Sequence, residues 1–248
     1  VLLLLPPSET KRNGGDPAAP LDLARLSHPE LTGVRRSMLA ATRTLSRNLR
    51  TAAEALRLGP SQHFEVLRNR ELCSSPTLPA VERYTGVLYD ALEVATLAPA
   101  ARGFLWAHVV IHSALFGLIG AGDPIPAYRL SHDSRIPDLS LKKAWRAPNT
   151  AVLSGVGGLI LDLRSEAYVE LGPLPSGDQS FFLRLVSEGP DGRRRALNHF
   201  NKKGKGEFVR ALARAGVDHA DVDSLLAWAA GAGLRLEHGD PGELVLTV

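Results

Sequence analysis

Cysteine is almost missing from this chain of 248 residues: Cys73 stands alone. One thiol excludes an internal disulfide and fits a reducing, cytoplasmic setting. Long apolar runs are also absent. The opening Val1 to Leu5, VLLLL, is too short for a signal peptide or a membrane span and is followed at once by Pro6 and Pro7, so a buried first strand is expected and no membrane partner. There is no G-x-x-x-x-G-K-[ST] phosphate loop, and Ser154-Gly155 lacks the G-x-S-x-G frame of a nucleophile elbow. His108 and His112 are four apart, but on a strand rising about 3.3 Å per residue they would stand about 13 Å from each other. With one cysteine and no carboxylate–histidine motif, no metal site and no cofactor are expected. No internal repeat or low-complexity tract is present.

What is present is an ordinary balance of 44% hydrophobic and 22% charged residues, enough for one continuous domain over residues 1–248. The net charge is only +3, yet the basic residues are clustered. Arg35, Arg36, Arg43, Arg47, Arg50 and Arg57 fall in one helical region against the single acid Glu54, and Arg193, Arg194, Arg195, Lys202, Lys203 and Lys205 form a second group. Two such clusters in a balanced chain point to a polyanionic partner.

The pattern along the chain reads as mixed α/β. After the first strand, residues 6 to 30 have loop composition. Met38, Leu45, Leu49, Ala52 and Leu56 favour one or two amphipathic helices over residues 31–58, ended by Gly59-Pro60. Another helix starts near Ser61, and residues 80–97 read as helical with an interruption at Gly86. Strands are expected at residues 107–113 and 159–163, the second preceded by a helical stretch over 141–153. Gly189-Pro190-Asp191-Gly192 and Gly239-Asp240-Pro241-Gly242 mark two C-terminal hairpins. Helices are expected over 206–215 and 221–230. The sum is a single compact domain with a mixed central sheet, flanking helices and C-terminal hairpins.

The stretch Val109 to Ser131, VVIHSALFGLIGAGDPIPAYRLS, carries the densest chemistry. A buried strand runs into a Gly-rich turn that delivers Asp123, Tyr128 and Arg129, a carboxylate, a phenol and a guanidinium. A desolvated Asp123 could serve as a general acid or base, while capping the turn before Pro124 would account for it equally. Ser8 and Lys11 follow the first strand. Ser165 and Tyr168 follow the strand near Leu159, where helix capping alone would explain Ser165. If the three strands are parallel neighbours, these loops meet at one edge and form one cleft. Lys202 and Lys203, with backbone amides near Gly204 and Gly206, could hold phosphate at a helix start.

The segments VLLLLPPSETK, YTGVLYDAL, LDLRSEAY and HFNKKGKG, together with Ser113, Gly117, Asp123, Pro126, Tyr128 and Arg129, resemble the YaaA peroxide stress family over nearly the whole chain. Glu9 departs from that pattern. The resemblance implies resistance to hydrogen peroxide, restraint of free iron and DNA binding. It also implies a helix-hairpin-helix element at residues 52–72, although Pro60 and Ser61 break the usual hairpin sequence, and makes Arg57, Arg68, Asn69 and Arg70 its phosphate contacts. The leading expectation is therefore a cytoplasmic peroxide stress protein that binds DNA through a basic cleft and limits iron-linked damage. The alternative is an enzyme acting on a nucleobase, nucleoside or nucleotide, with Asp123, Tyr128 and Arg129 catalytic and Ser8, Lys11, Ser113, Ser165, Tyr168, Lys202 and Lys203 holding the ligand.

Overall fold

A computed structural model describes residues 1–188, 194–196 and 200–248. In chain order the strands are β1 (Leu2–Leu5), β2 (Asp16–Pro20), β3 (Pro76–Pro79), β4 (Val109–Ser113), β5 (Gly117–Gly120), β6 (Pro124–Ile125), β7 (Ile160–Asp162), β8 (Ser180–Glu188), β9 (Arg194–Ala196), β10 (Arg235–His238) and β11 (Glu243–Thr247). The helices are α1 (Thr32–Leu45), α2 (Leu49–Ala55), α3 (Phe64–Arg70), α4 (Ala80–Arg83), α5 (Val87–Leu92), α6 (Pro99–His108), α7 (Leu141–Ser154), α8 (Glu166–Val169), α9 (Phe200–Ala215) and α10 (Val222–Gly231).

The main sheet runs β10-β11-β8-β7-β1-β4-β5, with β9 paired to β8, and β2-β3-β6 form a small second sheet. β1 lies between β4 and β7 and is parallel to both, with Leu3 opposite Val109 and Leu161. β7 to β8 and β8 to β11 are parallel as well, whereas β5, β9 and β10 are antiparallel additions. Leu3, Leu4, Leu5 and all of β4 are buried, as expected of parallel strands covered on both faces. α9 packs against α5 and α6.

Most expected elements are present with shifted ends. The C-terminal hairpin of β10 and β11 forms as the Gly239 to Gly242 turn predicts. β8 and β9 also pair as a hairpin, while its turn, residues 189–193, lies outside the described residues. Two departures matter for the site. Residues 6–30 are not all loop, because β2 pairs with β3; its sequence, DPAAP, carries no strand signal, and its two prolines suit only an edge. The glycines after β4 are not a turn either. Gly117 to Gly120 form β5, folded back antiparallel on β4 through Ala114 to Phe116.

Candidate functional site

The loops that leave β1 and β7 at the C-terminal edge of the sheet enclose a cavity of about 530 Å3. Its wall includes Pro6, Pro7, Ser8, Glu9 and Thr10 after β1, Leu163, Ser165 and Tyr168 after β7, and Leu130 to His132. Thr85 to Tyr89, leading into α5, and Asn201, Lys202 and Lys205 on α9 complete it. The parallel neighbours β4, β1 and β7 thus direct their following loops to one edge, where open α/β sheets hold ligands. Gly86, with φ of +99°, lets the wall close: a Cβ there would sit 3.2 Å from Ser8 Oγ in a backbone conformation that side chains disfavour.

Of the residues singled out in the sequence, Ser8, Ser165, Tyr168 and Lys202 line this cavity, and Lys11, Ser113, Tyr128 and Arg129 form a packed cluster outside its lining. Lys11 is 6% exposed. Its Nζ donates to the carbonyls of Ser8 and Glu9 at 2.9 and 3.1 Å and lies 4.0 Å from the Tyr128 ring centre. Burial pulls its pKa down to about 7. Ser113 Oγ accepts from the amides of Leu115 and Phe116, which fills its lone pairs. Its own hydrogen therefore goes to Tyr128 Oη at 2.7 Å, and Tyr128 donates onward to Tyr84 Oη at 2.7 Å. Burial raises the Tyr128 phenol to about 12, so it is protonated near neutral pH. Arg129 meets Glu9 at 2.7 Å, which makes Glu9 the carboxylate that both lines the cavity and closes the cluster.

Asp123 is not part of this arrangement, contrary to the sequence expectation. Because β5 runs antiparallel to β4, its end returns to the level of Val109 and Val110, and Ala121 donates its amide to the Val109 carbonyl. Asp123 therefore stands at the edge of the sheet opposite Ser8 and Ser113. Its carboxylate, 7% exposed, accepts from the Ser27 amide and hydroxyl, both at 2.8 Å, and from the Gly120 amide at 3.0 Å. It ties the segment before α1 to the end of β5, and the catalytic trio of Asp123, Tyr128 and Arg129 does not assemble.

Beneath the cavity lies a buried network that the sequence motifs do not reveal. Asp162, the last residue of β7, is held by Arg164 through Nε at 2.9 Å and Nη2 at 2.6 Å, both side chains being buried. Arg164 Nη1 also donates to His112 Nδ1 at 2.7 Å, and burial together with that guanidinium depresses the imidazole pKa well below its ordinary value. Lys205 Nζ, from α9, reaches the Arg164 carbonyl at 3.3 Å. The one signal for it is a carboxylate and a guanidinium inside the apolar run LILDLR, where charges are rare unless paired.

Gly204 and Gly206 do not stand at a helix start as expected. His199 lies outside the described residues, and α9 already begins at Phe200, so the amides of Gly204 and Gly206 are spent within the helix. Gly206 instead permits close packing, since a Cβ there would overlap the Leu88 carbonyl oxygen. Lys203 pairs with Glu207 on the outer face of α9 and stays out of the cavity. Ser165 occupies the N-cap position of α8 without capping it.

The sequence profile described as peroxide stress protein YaaA matches residues 1–238. The chain belongs to the YaaA peroxide stress family. A UPF0246 protein of Corynebacterium efficiens is 42% identical over 253 aligned positions, covering 100% of this chain and 99% of the relative. A second UPF0246 protein, from Streptomyces coelicolor, is 39% identical over 220 positions, 87% of this chain and 84% of its own.

In this YaaA family member, residues 52–72 form helix, loop and helix: α2, a turn through Arg57 at φ of +55°, a 3-10 turn over Pro60–Gln62, and α3. Three of the residues expected to grip phosphate there, Asn69, Arg57 and Arg68, are engaged within the protein. Asn69 is fully buried and exchanges hydrogen bonds with the backbone of Arg129, donating at 2.7 Å and accepting at 2.8 Å; it cannot touch a phosphate. Arg57 pairs with Asp133 at 2.8 Å, and Arg68 with Glu65 and Asn13. Arg35 is also internal, giving hydrogen bonds to the Phe116 and Leu118 carbonyls. Between α1 and α3, three exposed cations, Arg43, Arg47 and Arg70, surround with Ala40 and Thr44 an open groove of about 380 Å3. Arg70 Nε donates to the Ser46 carbonyl at 2.6 Å and so fixes one side of it. No helix among the described residues is long and apolar enough to cross a membrane, and no group of three or more His, Cys, Asp or Glu there is placed to hold a metal ion.

Proposed function

We propose that this peroxide stress protein binds nucleic acid, with the phosphate backbone seated on the α1–α3 face, and that coverage of the duplex limits iron-driven damage to it. The observation that carries the reading is the groove formed by Arg43, Arg47 and Arg70, whose lining contains three guanidiniums and no carboxylate. Guanidiniums present fixed forks of donors matched to phosphate oxygens, and contacts to the backbone alone give binding that is indifferent to sequence and steep in salt. Arg70 is one of the contacts that the helix-hairpin-helix resemblance implies, while Arg43 and Arg47 precede that element in the chain.

Fluorescence anisotropy of labelled duplex DNA at several salt concentrations tests this. The Arg43→Gln/Arg47→Gln double variant should weaken binding for unrelated sequences alike and reduce the magnitude of the log–log salt slope by about 2, near 0.9 per lost phosphate contact. An unchanged slope would remove this face from consideration.

A further inference from the structure

We propose that the cavity at the C-terminal edge of the sheet is a binding site for a phosphomonoester carrying a planar ring, a mononucleotide, with Lys205 gripping the phosphate. Charge balance is the first ground. Two buried cations, Arg164 and Lys205, lie near one buried carboxylate, Asp162. Arg164 claims both oxygens of that carboxylate, so Asp162 and the exposed Glu166 favour the Lys205 ammonium through space, against Arg184, without a hydrogen bond to it. An ammonium has three donors, and among the described residues Lys205 uses one in a hydrogen bond, 3.3 Å to the Arg164 carbonyl, with the Phe182 ring centre 5.2 Å away. At 5% exposure an ammonium with two unused donors is costly to bury unless an anion completes its shell.

The surrounding groups suit a phosphate. The Ser165 hydroxyl, on the residue next to the carbonyl that holds Lys205, is free of the capping role its position suggests. Lys202 lines the same cavity one helical turn before Lys205. Asn201, also on the wall, has a buried Oδ1 with no hydrogen-bond partner among the described residues. The rest of the wall differs in kind. Pro6 and Pro7 offer flat apolar surface, and His132 stands 5.3 Å from the Tyr168 ring, centre to centre. A cationic corner joined to a ring-bearing wall, in a volume within the usual range for small-molecule sites, fits a ligand with a phosphate at one end and a planar ring at the other.

This inference does not rest on the arginine groove, so the two can fail separately. Isothermal titration of the purified protein with AMP, adenosine and inorganic phosphate, and with oligonucleotides bearing a 5′-phosphate or a 5′-hydroxyl, tests it. AMP should bind at least tenfold more tightly than adenosine. Lys205→Met should lose that preference, whereas Lys203→Met, which alters an exposed lysine outside the cavity, should keep it. The Arg43→Gln/Arg47→Gln variant should bind AMP as the parent does. The source of the phosphate follows from the oligonucleotide arm: a gain from the 5′-phosphate that Lys205→Met abolishes assigns the site to strand ends, and no gain assigns it to free mononucleotides. Equal affinity for AMP and adenosine, equal behaviour of the two lysine variants when both melt cooperatively, or no binding of AMP at millimolar concentration would each overturn the proposal.

Discussion

Lys11 Nζ lies 4.0 Å from the centre of the Tyr128 ring and bonds to two backbone carbonyls, a set of partners that solvates an ammonium less well than water does. Burial outweighs the pull of Glu65 and Glu9 toward the charged form, Arg129 and Arg68 oppose that form as well, and the pKa falls from 10.5 to about 7. Between pH 7 and 10.5 the unfolded chain therefore holds a proton that the folded chain has released, and stability rises with pH across that window. Lys205, lowered to about 8, adds a rise of the same sign over a narrower range. The thermal midpoint should climb from pH 7 to 9.5 in the parent and climb less in Lys11→Met. Parallel profiles for the two proteins would show that Lys11 keeps its proton when folded.

Asp123 makes the opposite kind of prediction, because its neighbours are Ser27 and Gly120 and not the cavity. Asp123→Asn weakens charge-assisted bonds to two amides and a hydroxyl, which should lower stability by about 1–3 kcal/mol in urea denaturation. Binding of nucleotide or DNA at a temperature where the variant is folded should match the parent. Lost binding with unchanged stability would return Asp123 to the functional site.

The contrast between these two residues shows what can be read from the sequence. Runs such as Val1 to Leu5 and Val109 to Ile111 announce buried strands, and their parallel pairing brings Ser8 and Ser165 to one cavity, because each polar loop follows its strand directly. Asp123 defeats the same reasoning: glycines 117, 120 and 122 resemble a turn, while the chain makes a strand of Gly117 to Gly120 and carries Asp123 across the sheet. Asn69 and Arg35 look like surface amide and cation on a helix, yet both bond to carbonyls or amides from distant segments, and sequence periodicity carries no record of such partners. The Lys205 corner depends on α9 packing over β8, a tertiary relation without a local signature.

Gly206 should tolerate no side chain. A Cβ at this position would come closer to the Leu88 carbonyl oxygen than van der Waals contact allows, so α9 and α5 must separate to admit even a methyl group. Gly206→Ala gains helix propensity on its own, so a helix limited by propensity would be stabilised. The close approach should win, with a net loss of about 1–3 kcal/mol typical of overpacking. An increased melting temperature would mean that α5 yields at little cost.

The Asp162–Arg164 pair can be tested by comparing its disruption with its removal. Arg164→Met leaves the Asp162 carboxylate buried with its two strongest donors gone, and also strips a donor from His112 and from the Gly172 carbonyl. Loss of one member of a buried pair costs about 3–5 kcal/mol, whereas exchanging both members for apolar residues of similar volume is near neutral in many proteins. Asp162→Leu/Arg164→Met should therefore recover part of what Arg164→Met loses in urea denaturation, though not all, because His112 and Gly172 stay short of a donor. The double variant should still fold with its cavity altered: Lys205 would no longer have Asp162 beside it, and the ammonium would be harder to keep charged. AMP affinity should then fall in the double variant even where its stability approaches that of the parent. If affinity follows stability alone across the three proteins, the network supports the fold and does not tune the lysine.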